Sequence, residues 1–168
     1  SDQQGGSNQS ITIRQIVTTS SSCADTATKI ITILPRPLAT LTTTDTAICA
    51  PASVTIANAT SGASFQWSYS STPAGSSNNQ NIVNPSGAST LVNFGLRSGN
   101  TDTLYTFTHI MNDSRGCKDT ASINVNVHPK PTAAFTPLAG IDCTPKTVTF
   151  TNNSTGQLNS SSYRWIVN

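Results

Sequence analysis

The sequence predicts an all-β chain of sandwich domains arranged in tandem. Three observations lead there. Of the 168 residues, 27 are Thr and 23 are Ser, with 15 Asn besides. Thr suits a pleated strand surface, while Ser and Asn suit turns. No stretch of Ala, Leu, Glu and Lys carries a 3.6-residue rhythm. Second, short stretches alternate apolar and polar residues with a period of two, the mark of a strand buried on one face. Third, the chain repeats itself. "CADTATKIITILPRP" runs from Cys23 to Pro37 and "CKDTASINVNVHPKP" from Cys117 to Pro131, an offset of 94 residues (117 − 23). Aligned without gaps, Cys23–Gly62 and Cys117–Gly156 share fourteen of forty residues.

That period is too long for a solenoid unit and close to the ~100 residues of one immunoglobulin-like sandwich. The expected organisation is therefore tandem immunoglobulin-like β-sandwich domains, about 94 residues per repeat. Residues 1–34 would supply the C-terminal strands of a first domain. Residues 35–128 would form a complete one, and 129–168 the N-terminal strands of a third. Ser1 starts a polar stretch with neither the positive region nor the apolar core of a signal peptide. On this reading the segment is cut from a longer array.

The elements follow in order. "SITIRQIVTTSSSC" aligns with "DTLYTFTHIMNDSRGC", so the first copy opens with the counterpart of a strand and its turn. "PRP" and "PKP" close each last strand, because proline lacks the N–H that a ladder needs. Paired prolines make a stiff joint, and domains so joined form a rod. At ~3.3 Å per residue, a final strand of about twelve residues makes each domain add roughly 40 Å to it. In "SVTI" Val54 and Ile56 share one face, as do Val148 and Phe150 in "TVTF". Trp67 in "FQW" and Trp165 in "YRW" open strands after a Gly-containing turn, and both are expected as core aromatics. Ser70–Ser89, rich in Ser, Asn, Pro and Gly, reads as a solvated loop. Tyr105, Phe107, His109 and Met111 line one face of the next strand, and "DSRG" turns it into "TASINVNV", where Ile123, Val125 and Val127 face inward.

Composition excludes several function classes. Charged residues are 10% of the chain and the net charge is +2, too weak for a nucleic-acid footprint. The most apolar run, Ile30–Leu34, is far short of the ~20 residues that span a bilayer. No Cys-x-x-Cys pair occurs, and His109 and His128 stand clear of zinc spacing. No metal or cofactor site is expected. No nucleophile elbow, paired Glu or phosphate loop appears, so the chain does not read as an enzyme.

Each copy holds one Cys after the turn and one before the "P-x-x-V-T" strand. Cys49 and Cys117 both fall in the complete domain and are the first candidate pair. Cys23 and Cys143 would then bond beyond the segment. A bond between neighbouring domains and free thiols remain open, since sandwich topology sets the two loops at opposite ends.

"CTPKTVTFTNNSTG…YRW", the Cys–Asp–Thr–Ala runs and the "PKPTAAF" joint together resemble PKD-type immunoglobulin-like repeats. More narrowly they resemble the Cys-bearing repeats of long Bacteroidetes surface proteins, namely gliding-motility adhesins of the SprB class and similar type IX secretion cargo. The likeness covers nearly the whole chain. It departs after the tryptophans, where "WSYSST" and "WIVN" stand in place of the family's Trp-Asp-Phe-Gly-Asp-Gly. The resemblance implies an extracellular or cell-surface stalk segment that presents a distal tip. Its partners would be neighbouring repeats, extracellular polysaccharide or surfaces, and secretion or motility machinery. It also implies O-glycosylation at Asp-Thr pairs, here at Thr26, Thr46, Thr103 and Thr120. Two other expectations stand beside the stalk: a carbohydrate- or surface-binding module, and a filament subunit completed by strand exchange.

Overall fold

The structure is a computed structural model that describes residues 5–74, 80–97, 100–137, 143, 145–156 and 162–166. It is all-β, with no helix among the described residues. Its strands are β1 (Gln9–Thr18), β2 (Ala24–Ile33), β3 (Leu41–Thr43), β4 (Ala47–Cys49), β5 (Ala52–Asn58) and β6 (Ser64–Thr72). They continue with β7 (Gln80–Ile82), β8 (Ser89–Phe94), β9 (Thr103–Asn112), β10 (Lys118–His128), β11 (Phe135–Pro137) and β12 (Phe150–Asn152).

Two four-stranded sheets, ordered β3-β5-β8-β7 and β4-β10-β9-β6, enclose one core in the arrangement of a β-sandwich. Val54, Ile56, Val92 and Phe94 enter it from the first sheet. Trp67, Tyr105, Phe107, Val125 and Val127 enter from the second. The alternation read from the sequence is the cause. In β9 each of Thr103, Tyr105, Phe107, His109 and Met111 is buried and each residue between them is more exposed. Burying one such apolar side chain contributes about 1.5–3 kcal/mol. The first strand of the sandwich is split between the sheets: β3 pairs antiparallel with β5, and β4 then pairs parallel with β10.

Segment 70–89, read as a loop, holds more structure than that. β6 runs on to Thr72, and β7 adds an edge strand to β8, with Ile82 opposite Val92 and packed against the core. One apolar residue among polar neighbours gave too little alternation to reveal it. Residues 75–79 lie outside the described ones.

On either side of the sandwich stands a two-stranded sheet, β1-β2 and β11-β12. Their ladders keep the register of the sandwich. Thr18 faces Ala24 as Asn112 faces Lys118, and Gln9 faces Ile33 as Thr103 faces Val127, each number higher by 94. Likewise Leu41 faces Asn58 as Phe135 faces Asn152. Burial does not recur. Tyr105, Phe107 and Met111 are covered by the opposite sheet, while Ile11, Ile13 and Val17 in the same register are 46–59% exposed.

Candidate functional site

Repeated residues hold one end of the sandwich. Where the chain enters, the Asp119 carboxylate accepts a 2.7 Å bond from the Ala39 amide, tying the joint to β10. The repeated Asn58, at the end of β5, accepts bonds from the Thr40 amide (3.0 Å) and the Thr60 amide (3.2 Å) and donates to the Thr60 carbonyl. Its counterpart Asn152 accepts from the Ser154 amide in the same way. The turn at this end closes on Asp113. That carboxylate accepts from the Arg115 and Cys117 amides and from the Arg115 guanidinium, which lies 2.9 Å away. Desolvation pushes its pKa up. The bonds from the Arg115 and Cys117 amides and the Arg115 side chain outweigh it, so the carboxyl sits below its ordinary value. Gly116 takes φ +84° there, and Ser22 takes φ +63° at the same place in the β1-β2 turn.

At the other end, the buried Arg97 donates to the Tyr105 hydroxyl and to Thr103 Oγ1, and the Tyr105 hydroxyl bonds Gln80. Burial holds the Tyr105 phenol above its usual range despite the nearby guanidinium. Asp102 lies beside this cluster and bonds His128 Nδ1 at 2.7 Å. Sequence reasoning missed this pair. The two residues are 26 positions apart, and only the β9-β10 register brings them together.

His109 lies wholly inside the sandwich. Its ring stacks on Phe65 at 5.5 Å and lies tilted against Trp67 at 4.1 Å between centroids, and neither ring nitrogen has a hydrogen-bond partner. Burial lowers its pKa. Sealed off from solvent, it has no path to a substrate.

The structure places three sets of sequence-derived site residues. No two of the four cysteines are bonded to each other, and Cys23, Cys49 and Cys143 are exposed. Cys49 is the register partner of His128, whereas Cys117 precedes the first residue of β10. At ~3.3 Å per residue the two are separated by roughly 36 Å, so a Cys49–Cys117 bridge is excluded. Among the glycan candidates, Thr26, Thr46 and Thr120 are exposed, but Thr103 is fully buried against Arg97 and cannot carry a sugar in the folded chain. Trp67 is a core residue, 4% exposed, whose indole donates to the Gly87 carbonyl at 2.8 Å. Trp165 is not. It is 54% exposed, with Phe135 and Phe150 against it and no facing sheet among the described residues. It lines an open cavity of about 380 Å³ with Phe135, Asn152 and Tyr163.

Among the described residues no three His, Cys, Asp or Glu side chains converge as a metal site, and no helix is long and apolar enough to cross a membrane. Compared with family models, curated proteins and solved structures, the chain matches none of them.

Proposed function

We propose that this chain is a stalk segment of a large secreted or surface-anchored bacterial adhesin, a stiff rod of PKD-type immunoglobulin-like repeats that presents a distal tip. The observation that carries the reading is the recurrence of ladder register at an offset of 94 residues on both sides of the sandwich. In a rod of like domains, residues 1–34 and 129–168 are parts of units whose remaining strands lie elsewhere in the protein. The isoleucine face of β1-β2 then stands where Tyr105, Phe107 and Met111 stand in the complete unit, and awaits a facing sheet. The mechanical parts are local. Proline pairs limit the joints, Asp119 and Asn58 anchor the incoming segment, and the turn at Asp113 closes the neighbouring loop. Thr26, Thr46 and Thr120 offer exposed hydroxyls for glycans that would shield the rod from proteases.

The aromatic arrangement favours a stalk over a carbohydrate-binding module. Of the rings on the sandwich strands, Trp67, Phe94, Tyr105 and Phe107 are buried and Phe65 is partly buried, while Tyr69 is exposed. A sugar platform needs such rings in solvent. A second reading, strand exchange between copies, has one observation in its favour. The apolar face of β1-β2 and the Phe135–Phe150–Trp165 cluster are two halves of the same kind of core, and both are uncovered.

The test is the mass of the natively purified protein after reduction and removal of sugars. A mass far above 17.6 kDa is the expected result. A bare mass near 17.6 kDa would refute the stalk and leave strand exchange to complete the end units.

A further inference from the structure

We infer that the isoleucine face of β1-β2 accepts the Phe135–Phe150–Trp165 face of a second copy of this chain, so that copies join head to tail. The inference rests on the tandem reading and deepens strand exchange by naming the two surfaces and the register of their contact.

The complete sandwich shows what covers a face of this kind. Leu41, Val54, Ile56 and Trp67 reach its core from the first strands. Tyr105, Phe107, Val125 and Val127 reach it from the last two, and Val92 and Phe94 from β8 between them. The last group recurs 94 residues earlier as Ile11, Ile13, Ile31 and Ile33, which are 42–50% exposed. The first group recurs as Phe135, Val148 and Phe150, with Trp165 in the place of Trp67, and these are 48–56% exposed. One chain therefore carries both sides of a core, each uncovered among the described residues.

The backbone gives a second, independent observation. β6 pairs antiparallel with β9 along its length, with Phe65 opposite Met111, Gln66 opposite Ile110 and Trp67 opposite His109. The counterpart of β9 is β1. It is paired with β2 alone, so its other edge carries no ladder among the described residues. The counterpart of β6 is the stretch that holds Tyr163 and Trp165, and residues 162–166 belong to no strand. An open edge and an unpaired strand-like segment thus stand in one chain, the two parts of a β-augmentation. The register carries over. Tyr163 falls opposite Val17, Arg164 opposite Ile16 and Trp165 opposite Gln15. The Trp165 indole then lies against Gln15 as Trp67 lies against His109, and β11-β12 faces the isoleucines as β3-β5 faces β9-β10.

These surfaces cannot meet within one chain. The incoming segment is tied to β10 at Asp119, and the outgoing one leaves β10 at His128. The eleven residues of β10 hold the two ends roughly 36 Å apart. The contact is therefore heterologous: each copy that joins leaves one face of each kind free, and the assembly stays open. The half-exposed isoleucines offer roughly 300–400 Å² of apolar area, about half of the ~800 Å² that each partner gives a standard interface. Strand pairing adds backbone hydrogen bonds to this. Neither face brings a counterpart of β7 or β8, so the contact is smaller than the one between the sheets of the sandwich and is reversible.

Two experiments on the 168-residue chain test this. The first is sedimentation between about 1 and about 100 µM. The wild type should show masses of two, three and more chains that grow with concentration. Ile13→Asp and Trp165→Ala should each move the onset of association at least about tenfold higher in concentration. Both should keep the urea midpoint of the sandwich, which marks a lost contact and not a lost fold. An equimolar mixture of the two variants should form two-chain complexes and nothing larger, because one keeps its Trp165 face and the other its isoleucine face. A wild type that stays a single chain throughout, or a closed dimer that Trp165→Ala leaves intact, overturns the inference. The mass of the natively purified protein tests the stalk separately. In the second experiment the four native cysteines are changed to Ser. Ile16→Cys with Arg164→Cys should then link chains into a ladder of multiples on oxidation. Thr12→Cys with Arg164→Cys, four residues out of register, should link at least about tenfold more slowly. Equal rates for the two pairs would overturn the register and the inference with it.

Discussion

His109 should make the sandwich acid-sensitive, in an amount its burial sets. The side chain is 0% exposed, both ring nitrogens lack partners, and its ring lies 4.1 Å from Trp67. Burial depresses its folded pKa below the ordinary histidine value. In the unfolded chain the same ring titrates near pH ~6.5. Between those two values the unfolded state binds the extra proton, so stability falls as pH falls. The slope approaches about 1.4 kcal/mol per pH unit. The ceiling on the loss from about pH 7 to about pH 5 is roughly 2 kcal/mol, the value for a ring that takes up no proton in the fold. That is a large share of a small domain's total of ~5–15 kcal/mol.

The assay is urea unfolding followed by tryptophan fluorescence, for the wild type and His109→Leu, at several pH values across that window. Leu has a similar volume and no polar atom. It removes two unsatisfied buried nitrogens, and should raise stability at neutral pH by about 1–2 kcal/mol. The difference between the two proteins should widen as pH falls. His128 and the carboxylates are common to both and cancel. A difference independent of pH would show that His109 takes up its proton inside the fold, and would refute the reasoning.

Other perturbations follow from the same contacts. Asn58→Ala removes bonds to the Thr40 and Thr60 amides and the Thr60 carbonyl, and should cost about 2–3 kcal/mol in denaturant unfolding. Gly116→Ala meets no atom within 4 Å but must hold φ +84°, so calorimetry should register a loss of about 1–2 kcal/mol from backbone strain alone. Asp119→Ala frees the Ala39 amide, and hydrogen exchange there should quicken well beyond exchange in β5 and β9. Ile13→Asp, on the exposed face of β1, should leave unfolding of the sandwich unchanged. A measurable destabilisation would show that β1-β2 packs on the sandwich.

Local patterning made the main elements legible. The alternation at Val54–Ile56, Tyr105–Met111 and Ile123–Val127 specifies both strand and inner face, because side chains on a strand change sides at every residue. The offset of 94 was visible as identity, and it reappears as ladder register. β7 was missed because an edge strand with one half-buried Ile has little period to show. Thr103 was misplaced, and Trp165 stands uncovered, because identity says which residues correspond and burial depends on what faces them. Trp165 copies Trp67 in sequence, yet Trp67 is covered and Trp165 is not. Thr103 lies in an Asp-Thr pair like the others, and its place on the inner face of β9 buries it.

By itself, then, the sequence determined the main strands, their inward-facing residues and the 94-residue correspondence. All three depend on interactions along the chain: alternation, turn residues and prolines that end a ladder. Only the tertiary structure decided which ends of the sandwich hold which groups. The Asp102–His128 pair, its neighbour Cys49 and the separation of Cys49 from Cys117 depend on strand pairings between residues far apart in sequence. A two-residue period specifies a face but not a neighbour, and the sheet order supplies the neighbours.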